Sequence, residues 1–259
     1  MIAPENITSG VKYLSNAGKF SDFQEKYLDV RKKESRLYTD DEVRSLPYLH
    51  QGHPHQKEWL LRADSINRFL KYLRKKSPQG PILDLGCGNG WFANKMVIFS
   101  GQEVVGLDVN IPELEQAARV FQQQSLSFCF GDIFEDIFHP GYYKMIVLNA
   151  SAQYFPDIRR LIHRLVYLLE DEGEIHLLDT HFYPNEKSAL KAAERTLEYY
   201  THLGFPEMAS HYYHHQIEKL KDIDNTRYKI LHHNSTLNIQ TSKLLRRSSS
   251  PFPWIRISK

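Results

Sequence analysis

The sequence predicts an α/β chain built on a doubly wound, mostly parallel sheet with helices on both faces and a helical extension in front. Three observations carry this. From residue 82 onward, short apolar and β-branched runs alternate with helical stretches, the rhythm of βαβ units. Runs such as Met145-Ile146-Val147-Leu148 are continuously apolar, as strands are when both faces of a parallel sheet are covered. One such run opens into a glycine-rich loop, Asp84 to Gly90, that leads at once into a helix, the place where open sheets hold ligands.

Taken in order, the extension carries Thr39-Asp40-Asp41-Glu42, a capping box that starts a short helix, which Pro47 ends. A longer helix is expected from about Pro54 to Lys75. Its Trp59, Leu60, Ala63, Ile66, Phe69, Leu70 and Leu73 recur at spacings of three and four, one buried face. The basic run Lys71–Lys76 closes it, where cations complement the C-terminal dipole. Strands are then expected at Ile82–Leu85, Glu103–Leu107, Leu126–Phe130, Lys144–Asn149 and Gly173–Leu178. The intervening helices are expected at Trp91–Phe99, Pro112–Gln123 and Asp157–Leu169, with another from Glu186 to His202 after the fifth strand. Beyond Gly204-Phe205-Pro206 a helix is expected near Met208–Lys221, then two last strands, Tyr228–His232 and Phe252–Ile257.

Bulk properties narrow the class. With 259 residues, 41% hydrophobic and 25% charged, the chain reads as an ordinary globular protein. A net charge of +2 with only short basic runs, the second at Lys243–Arg247, favours no nucleic-acid partner. Two cysteines, Cys87 and Cys129, make no disulfide framework. Met1–Gly10 lacks the apolar block of a signal peptide, and no apolar run approaches the ~20 residues that span a bilayer. A cytoplasmic setting follows as the expectation.

Ligands of an open parallel sheet sit beyond the carboxyl ends of the strands. Those ends present Asp84 and Gly86, Asp108 and Asn110, Asp132, Asn149 to Tyr154, and Asp179 to His181. Three successive ends thus carry an acid. In the loop Asp84-Leu85-Gly86-Cys87-Gly88-Asn89-Gly90-Trp91 the glycines are spaced G-x-G-x-G, whereas a dinucleotide fingerprint is G-x-G-x-x-G, shaped for a pyrophosphate. An acid at Asp84 repels a pyrophosphate but can hold an ammonium group. S-adenosylmethionine carries such a group beside a sulfonium.

At these residues the sequence resembles the class I S-adenosylmethionine-dependent methyltransferases. Ile82 to Gly90 is similar to their first motif, Val105-Gly106-Leu107-Asp108 to their second strand, Gly131-Asp132-Ile133 to their third strand end, and Tyr154-Phe155-Pro156-Asp157 follows the fourth strand as in the small-molecule, ubiquinone/menaquinone methylase-like group. The resemblance covers about residues 80 to 182. It implies a Rossmann-like three-layer sandwich with a seven-stranded sheet in the order 3-2-1-4-5-7-6, a methyltransferase domain at 77–259 and a helical extension or lid at 1–76. It implies that Asp84 and the loop Gly86-Cys87-Gly88-Asn89-Gly90 face the methionine part. Asp108, with Val109 and Asn110, takes the ribose, Asp132 and Ile133 read the adenine, and Asn149 lies near the methionine amino group or serves as a turn residue.

The acceptor side is less defined. Methyl transfer is a displacement at an already activated carbon, so positioning can supply much of the acceleration. A base is needed only when the acceptor must lose a proton. His181 is a candidate base or a loop histidine, and Tyr154 and Gln153 are candidates for touching the acceptor. Amino-directed relatives often carry Asn/Asp-Pro-Pro-Tyr/Phe after strand four; Asn149-Ala150-Ser151-Ala152 departs from it, leaving oxygen, carbon or another nitrogen open. His50, His53 and His55 lack a nearby carboxylate or cysteine in sequence to complete a metal site, and no metal is expected. That loop and the helix behind it are expected to cover the cofactor pocket, and His211-Tyr212-Tyr213-His214-His215 either lines the acceptor side or forms a surface helix. The expected activity is methyl transfer to a small molecule, leaving S-adenosylhomocysteine. The rivals are a non-catalytic protein keeping this fold and a nicotinamide-dependent oxidoreductase. No motif speaks to the acceptor or the oligomeric state.

Overall fold

The computed structural model describes residues 6–223, 226–232 and 250–259. The basic run at 243–247 therefore lies outside the described residues. The strands are β1 (Asn6–Thr8), β2 (Val11–Tyr13), β3 (Ile82–Leu85), β4 (Val104–Asp108), β5 (Leu126–Phe130), β6 (Tyr143–Asn149), β7 (Leu169–Leu178), β8 (Arg227–His232) and β9 (Trp254–Ser258). The α-helices are α1 (Ser21–Lys33), α2 (Asp40–Ser45), α3 (Gln56–Lys76), α4 (Trp91–Ser100), α5 (Ile111–Val120), α6 (Ile158–Leu168) and α7 (Glu186–Leu203).

Among the described residues the nine strands form one sheet, in the order β1-β2-β5-β4-β3-β6-β7-β9-β8. From β5 to β8 this is the expected order of seven. Pairing is parallel from β5 through β7, and β9 runs antiparallel to both β7 and β8. The sheet departs from expectation at the other edge. The hairpin β1–β2 adds two strands, β2 lying parallel to β5 with Val11 opposite Phe128. The first 76 residues are thus not wholly helical.

Both faces of the sheet are covered, as the continuous apolar runs require. Successive strand residues point to opposite faces. Ile82, Val104, Met145 and Val147 pack with Phe69 and Leu73 of α3, Phe92 and Met96 of α4 and Leu114 of α5. Leu83, Leu85, Val105, Ile146 and Leu148 pack with Leu161, Ile162 and Leu165 of α6. A third, small cluster sits apart from these: Val30 of α1, Tyr200 of α7 and Met208, flanked by Phe23, Tyr27 and Tyr212. It caps the carboxyl end of the sheet.

Local signals placed most elements correctly. Thr39 accepts from the Glu42 amide and the Glu42 carboxylate accepts from the Thr39 amide, completing the capping box. Asn110 caps α5, Asp157 caps α6 and Asn185 caps α7. The helix expected near 208–221 is instead two 3₁₀ turns, Pro206–His211 and Ile217–Leu220, with extended chain between. That chain is tied down: the Tyr183 amide donates to His215, the Ile217 amide to Tyr183 and the Tyr213 amide to Gln153. Tertiary hydrogen bonds there replace helical ones.

Candidate functional site

The loop after β3 is held by its own backbone. The Gly86 and Cys87 amides donate to the Leu107 carbonyl at 2.8 and 3.3 Å, and the Gly90 amide to Cys87 at 3.0 Å. Gly86 sits at φ 77°, and a Cβ there would lie 2.4 Å from the Ser151 Cβ. Only glycine permits that approach. Ser151 in turn donates to the Leu85 carbonyl at 2.6 Å, stapling the end of β6 to the end of β3. Gly90 does a different job from the one expected. It precedes α4 at φ 73°, where a Cβ would meet Phe128 and Ala117, and it is not among the residues lining the cavity. Its role is packing.

Asp108 organises this loop. One oxygen accepts the Gly88 amide at 2.7 Å; the other accepts the amides of Val109 and Asn110 at 2.7 and 2.9 Å. Burial raises its pKa against these three hydrogen bonds. Asn110 uses Oδ1 to cap α5 at 3.2 Å, while its buried Nδ2 has no partner.

Above the loop opens a cavity of about 990 Å³. Asp84, Gly86, Cys87, Gly88, Asn89, Asp108, Val109, Asn110, Asp132, Ile133, Asn149 and Tyr154 all line it, so the structure brings the predicted residues together. Asp84 is 1% exposed, and its Oδ2 has no hydrogen-bond partner. Burial, then the neighbouring Asp108, push its carboxyl up to about 8. The buried Oδ1 of Asn149 is likewise unpartnered. Sequence reading missed Glu113, on the first turn of α5, which burial raises to about 7 although Arg31 pulls it down. It faces Gly88, where a Cβ would lie 3.0 Å from its Oε2. Three carboxyls, Asp84 fully buried and Asp108 and Glu113 partly so, thus surround a glycine cradle, an environment that favours a cationic ligand.

Asp132, expected at the adenine, has both carboxylate oxygens engaged within the protein. Its Oδ2 is ion-paired with Lys19 at 2.7 Å and its Oδ1 accepts the Phe134 amide at 3.0 Å. Lys19 arrives from the turn before α1, which no sequence signal tied to this site. Ile133 lines the cavity, its carbonyl accepting from Arg164 at 2.8 Å.

On the far side, Phe23 and Tyr27 of α1 meet Tyr154 edge to face at 6.3 and 6.1 Å, and Tyr212 meets it at 5.8 Å. Burial keeps the phenols of Tyr27, Tyr154 and Tyr212 well above their usual range, hence neutral. His211, Tyr212 and His214 line the cavity, so the run at 211–215 belongs to the site rather than to a surface helix. His181 does not: it is exposed, packs against Tyr183 at 4.5 Å and lies outside the cavity lining. A residue on the strand-end rim can still point away from the pocket. Gln153 lines the cavity, but its amide is committed, donating to Ala150 and accepting from Thr180 at 2.9 Å. Asp179 is buried beside Ser250, away from the cavity.

The histidine loop holds the cap instead of covering the pocket. His55 contacts the Glu34 carbonyl at 3.0 Å, His53 lies 3.4 Å from Glu42, and the His50 ring packs on His53. The helix behind it does line the cavity, through Glu58, Trp59 and Arg62, with Trp59 edge to face against Trp91 at 5.2 Å.

Comparison with known proteins agrees with this geometry. A family model described as a methyltransferase domain matches residues 76–241. Nocamycin O-methyltransferase of Saccharothrix syringae is 30% identical over 117 residues, 43% of this chain and 42% of the relative. Trans-aconitate 2-methyltransferase of Deinococcus radiodurans is 34% identical over 99 residues, covering 38% and 37%. The chain spans about two-fifths of the length of these relatives. The fold is shared with the YcgJ protein of Bacillus subtilis (TM-score 0.54, 16% identity, 74% of this chain and 98% of that one). It is also shared with a phosphoethanolamine N-methyltransferase of Haemonchus contortus (TM-score 0.53, 17% identity, 88% and 60%). No helix among the described residues is long and apolar enough to cross a membrane. The glycine cradle, its carboxyls and the matched family model have one common reading: the chain belongs to the methyltransferase-domain family, of the class I, S-adenosylmethionine-dependent kind.

Proposed function

We propose that this protein transfers a methyl group from S-adenosylmethionine to a small-molecule acceptor held in the tyrosine-lined half of the cavity. The observation that carries the reading is Asp84. It is a buried carboxyl with an unpartnered oxygen, at the foot of a cavity whose opposite wall is aromatic. A group carrying an ammonium and a sulfonium fits that end. The cradle at Gly86 and Gly88, which a side chain would fill, fits close backbone approach. Asp84, Asn149 and the cradle would hold the methionine part; Asp108, Asn110 and Glu113 would hold the ribose side. The cofactor supplies a methyl already activated by its sulfonium.

What this chain adds is position and dryness. The cluster of Val30, Tyr200 and Met208 closes the cap over the cavity, and excluding water strengthens every charge interaction inside. Tyr154, neutral at physiological pH, serves as a wall and a hydrogen-bond donor for the acceptor rather than as a base. Where the acceptor must lose a proton, His214 is better placed than His181. It lines the cavity, stays neutral because burial lowers its pKa, and contacts the Thr196 hydroxyl at 2.9 Å. The relatives, a nocamycin and a trans-aconitate methyltransferase among them, support a small acceptor over a nucleic acid, as does the small net charge. Within the N-terminal extension, residues 17–34 wall the cavity and would serve as its lid, and two buried cysteines outside any disulfide suit a reducing, cytoplasmic setting. The test is a screen of metabolite classes with methyl-labelled cofactor: transfer to a small organic acceptor supports the reading, and transfer to protein or nucleic acid alone refutes it.

A further inference from the structure

Arg31, on α1, stands out in the acceptor half of the cavity. It lines the space, yet its guanidinium donates no hydrogen bond among the described residues, and its buried Nε is without a partner. Among the described residues its one ion pair is with Glu34 at 4.0 Å. That carboxylate is already held by Arg36 at 3.2 Å and by the Tyr199 hydroxyl. The other acid on this wall, Glu58, is shared by Arg36 and Arg62 at 3.1 Å each. Asp22 at the rim is paired with Lys26 at 2.9 Å. Arg195 of α7 also lines the cavity and has no ion pair among the described residues. Three guanidiniums, those of Arg31, Arg36 and Arg62, therefore share two carboxylates that are already engaged, and Arg195 adds a further cation to the lining. Glu113 beneath is only a partial counter-charge near neutrality, since burial raises it to about 7.

A guanidinium fork with no acceptor is costly to hold in a half-buried site. Its planar donors match a carboxylate or phosphate two bonds at a time. The surface around it is aromatic. Tyr27 lies under the guanidinium at 5.4 Å and meets Tyr154 at 6.1 Å, walls suited to a flat apolar body. We infer that the methyl acceptor is an organic oxyanion, a carboxylate or phosphate on a flat apolar body, with Arg31 as the residue that binds its anionic group. The inference rests on the methyltransferase reading above and narrows it to a substrate class.

The test is calorimetry on the full chain saturated with S-adenosylhomocysteine. The probes are 3-(4-hydroxyphenyl)propionate, phenyl phosphate and the neutral 3-(4-hydroxyphenyl)propionamide. At least one anion should bind ten-fold or more tightly than the amide, and which one does so identifies carboxylate or phosphate. Arg31→Gln should erase that preference and Arg31→Lys should keep part of it, both with S-adenosylhomocysteine affinity within two-fold of wild type, which also certifies folding. Neither anion binding better than the amide would overturn the inference. So would Arg31→Gln weakening S-adenosylhomocysteine while sparing 5′-methylthioadenosine, because the guanidinium would then belong to the cofactor's own carboxylate. Failure of the wild type to bind S-adenosylhomocysteine would instead strike the methyltransferase reading, a separate and distinguishable result.

Discussion

Asp108 has two jobs that pull in the same direction. Its carboxylate accepts three backbone amides of the loop and of the turn after β4, and it lines the cavity. Asp108→Ala should cost roughly 2–3 kcal/mol of cofactor binding through the lost charge-assisted bonds. It should also lower the melting temperature of the ligand-free protein, because three partly buried amide donors lose their acceptor. Calorimetry and a melting curve on the same sample check both. His181 and Tyr154 separate in the opposite way. His181→Ala should leave turnover unchanged, since its ring packs on Tyr183 outside the cavity lining. Tyr154→Phe should raise KM for the acceptor without altering cofactor affinity; steady-state kinetics on both variants discriminates between them.

At the scale of elements, the loop between β3 and α4 is the least tolerant piece. Gly86→Ala puts a Cβ 2.4 Å from the Ser151 Cβ at a backbone angle that disfavours side chains. Cofactor binding should fall at least ten-fold, with the fold retained by circular dichroism. This loop and the strands around it were legible in the sequence, because an acid, spaced glycines and continuous apolar runs each leave a local mark. The cap was not. Strands β1 and β2 have three residues each, too short for alternation to show. Helix α1 buries only Gln24 and Val30, since one of its faces meets water and another the cavity, so no apolar stripe marks it. Lys19, Arg31 and Glu113 reach the site through tertiary placement alone. If the cap is a lid, amide exchange across residues 17–34 should slow when cofactor binds; unchanged exchange there would leave it a fixed wall.

At the scale of the whole molecule, the base of the sheet is tied to α3 and to the C-terminal strand by one buried carboxylate. Glu174 accepts from Tyr72 at 2.6 Å and from Lys76 at 3.0 Å, and lies 3.3 Å from His176 and 3.4 Å from Arg256. Burial pushes its pKa up, but hydrogen bonds from His176, Tyr72 and Lys76 outweigh that and hold it at about 2. A depressed acid stabilises the fold above its ordinary pKa, so this contribution should be present at neutral pH and fade between about pH 4.5 and 2. Glu174→Gln should cost about 2 kcal/mol at pH 7 and less at pH 3, as read by urea unfolding at the two pH values.

Asp84 behaves with the opposite sign. Its raised pKa means that ionising it in the empty site costs stability as pH rises from about 4 to 8, yet an ammonium-bearing ligand needs the ionised form. The site therefore trades stability for affinity at a single residue. Isothermal titration of S-adenosylmethionine into wild type and Asp84→Asn across pH 6 to 9 tests this most directly. Wild-type affinity should rise with pH from 6 toward about 8 and then fall as the ligand's own α-ammonium, of ordinary pKa about 8, loses its proton. Asp84→Asn should bind at least thirty-fold more weakly at pH 8, show no such slope, and melt higher than wild type without ligand. Equal affinity of the two proteins at pH 8, or a wild-type profile flat from pH 6 to 9, would contradict the assignment of this cavity to the cofactor.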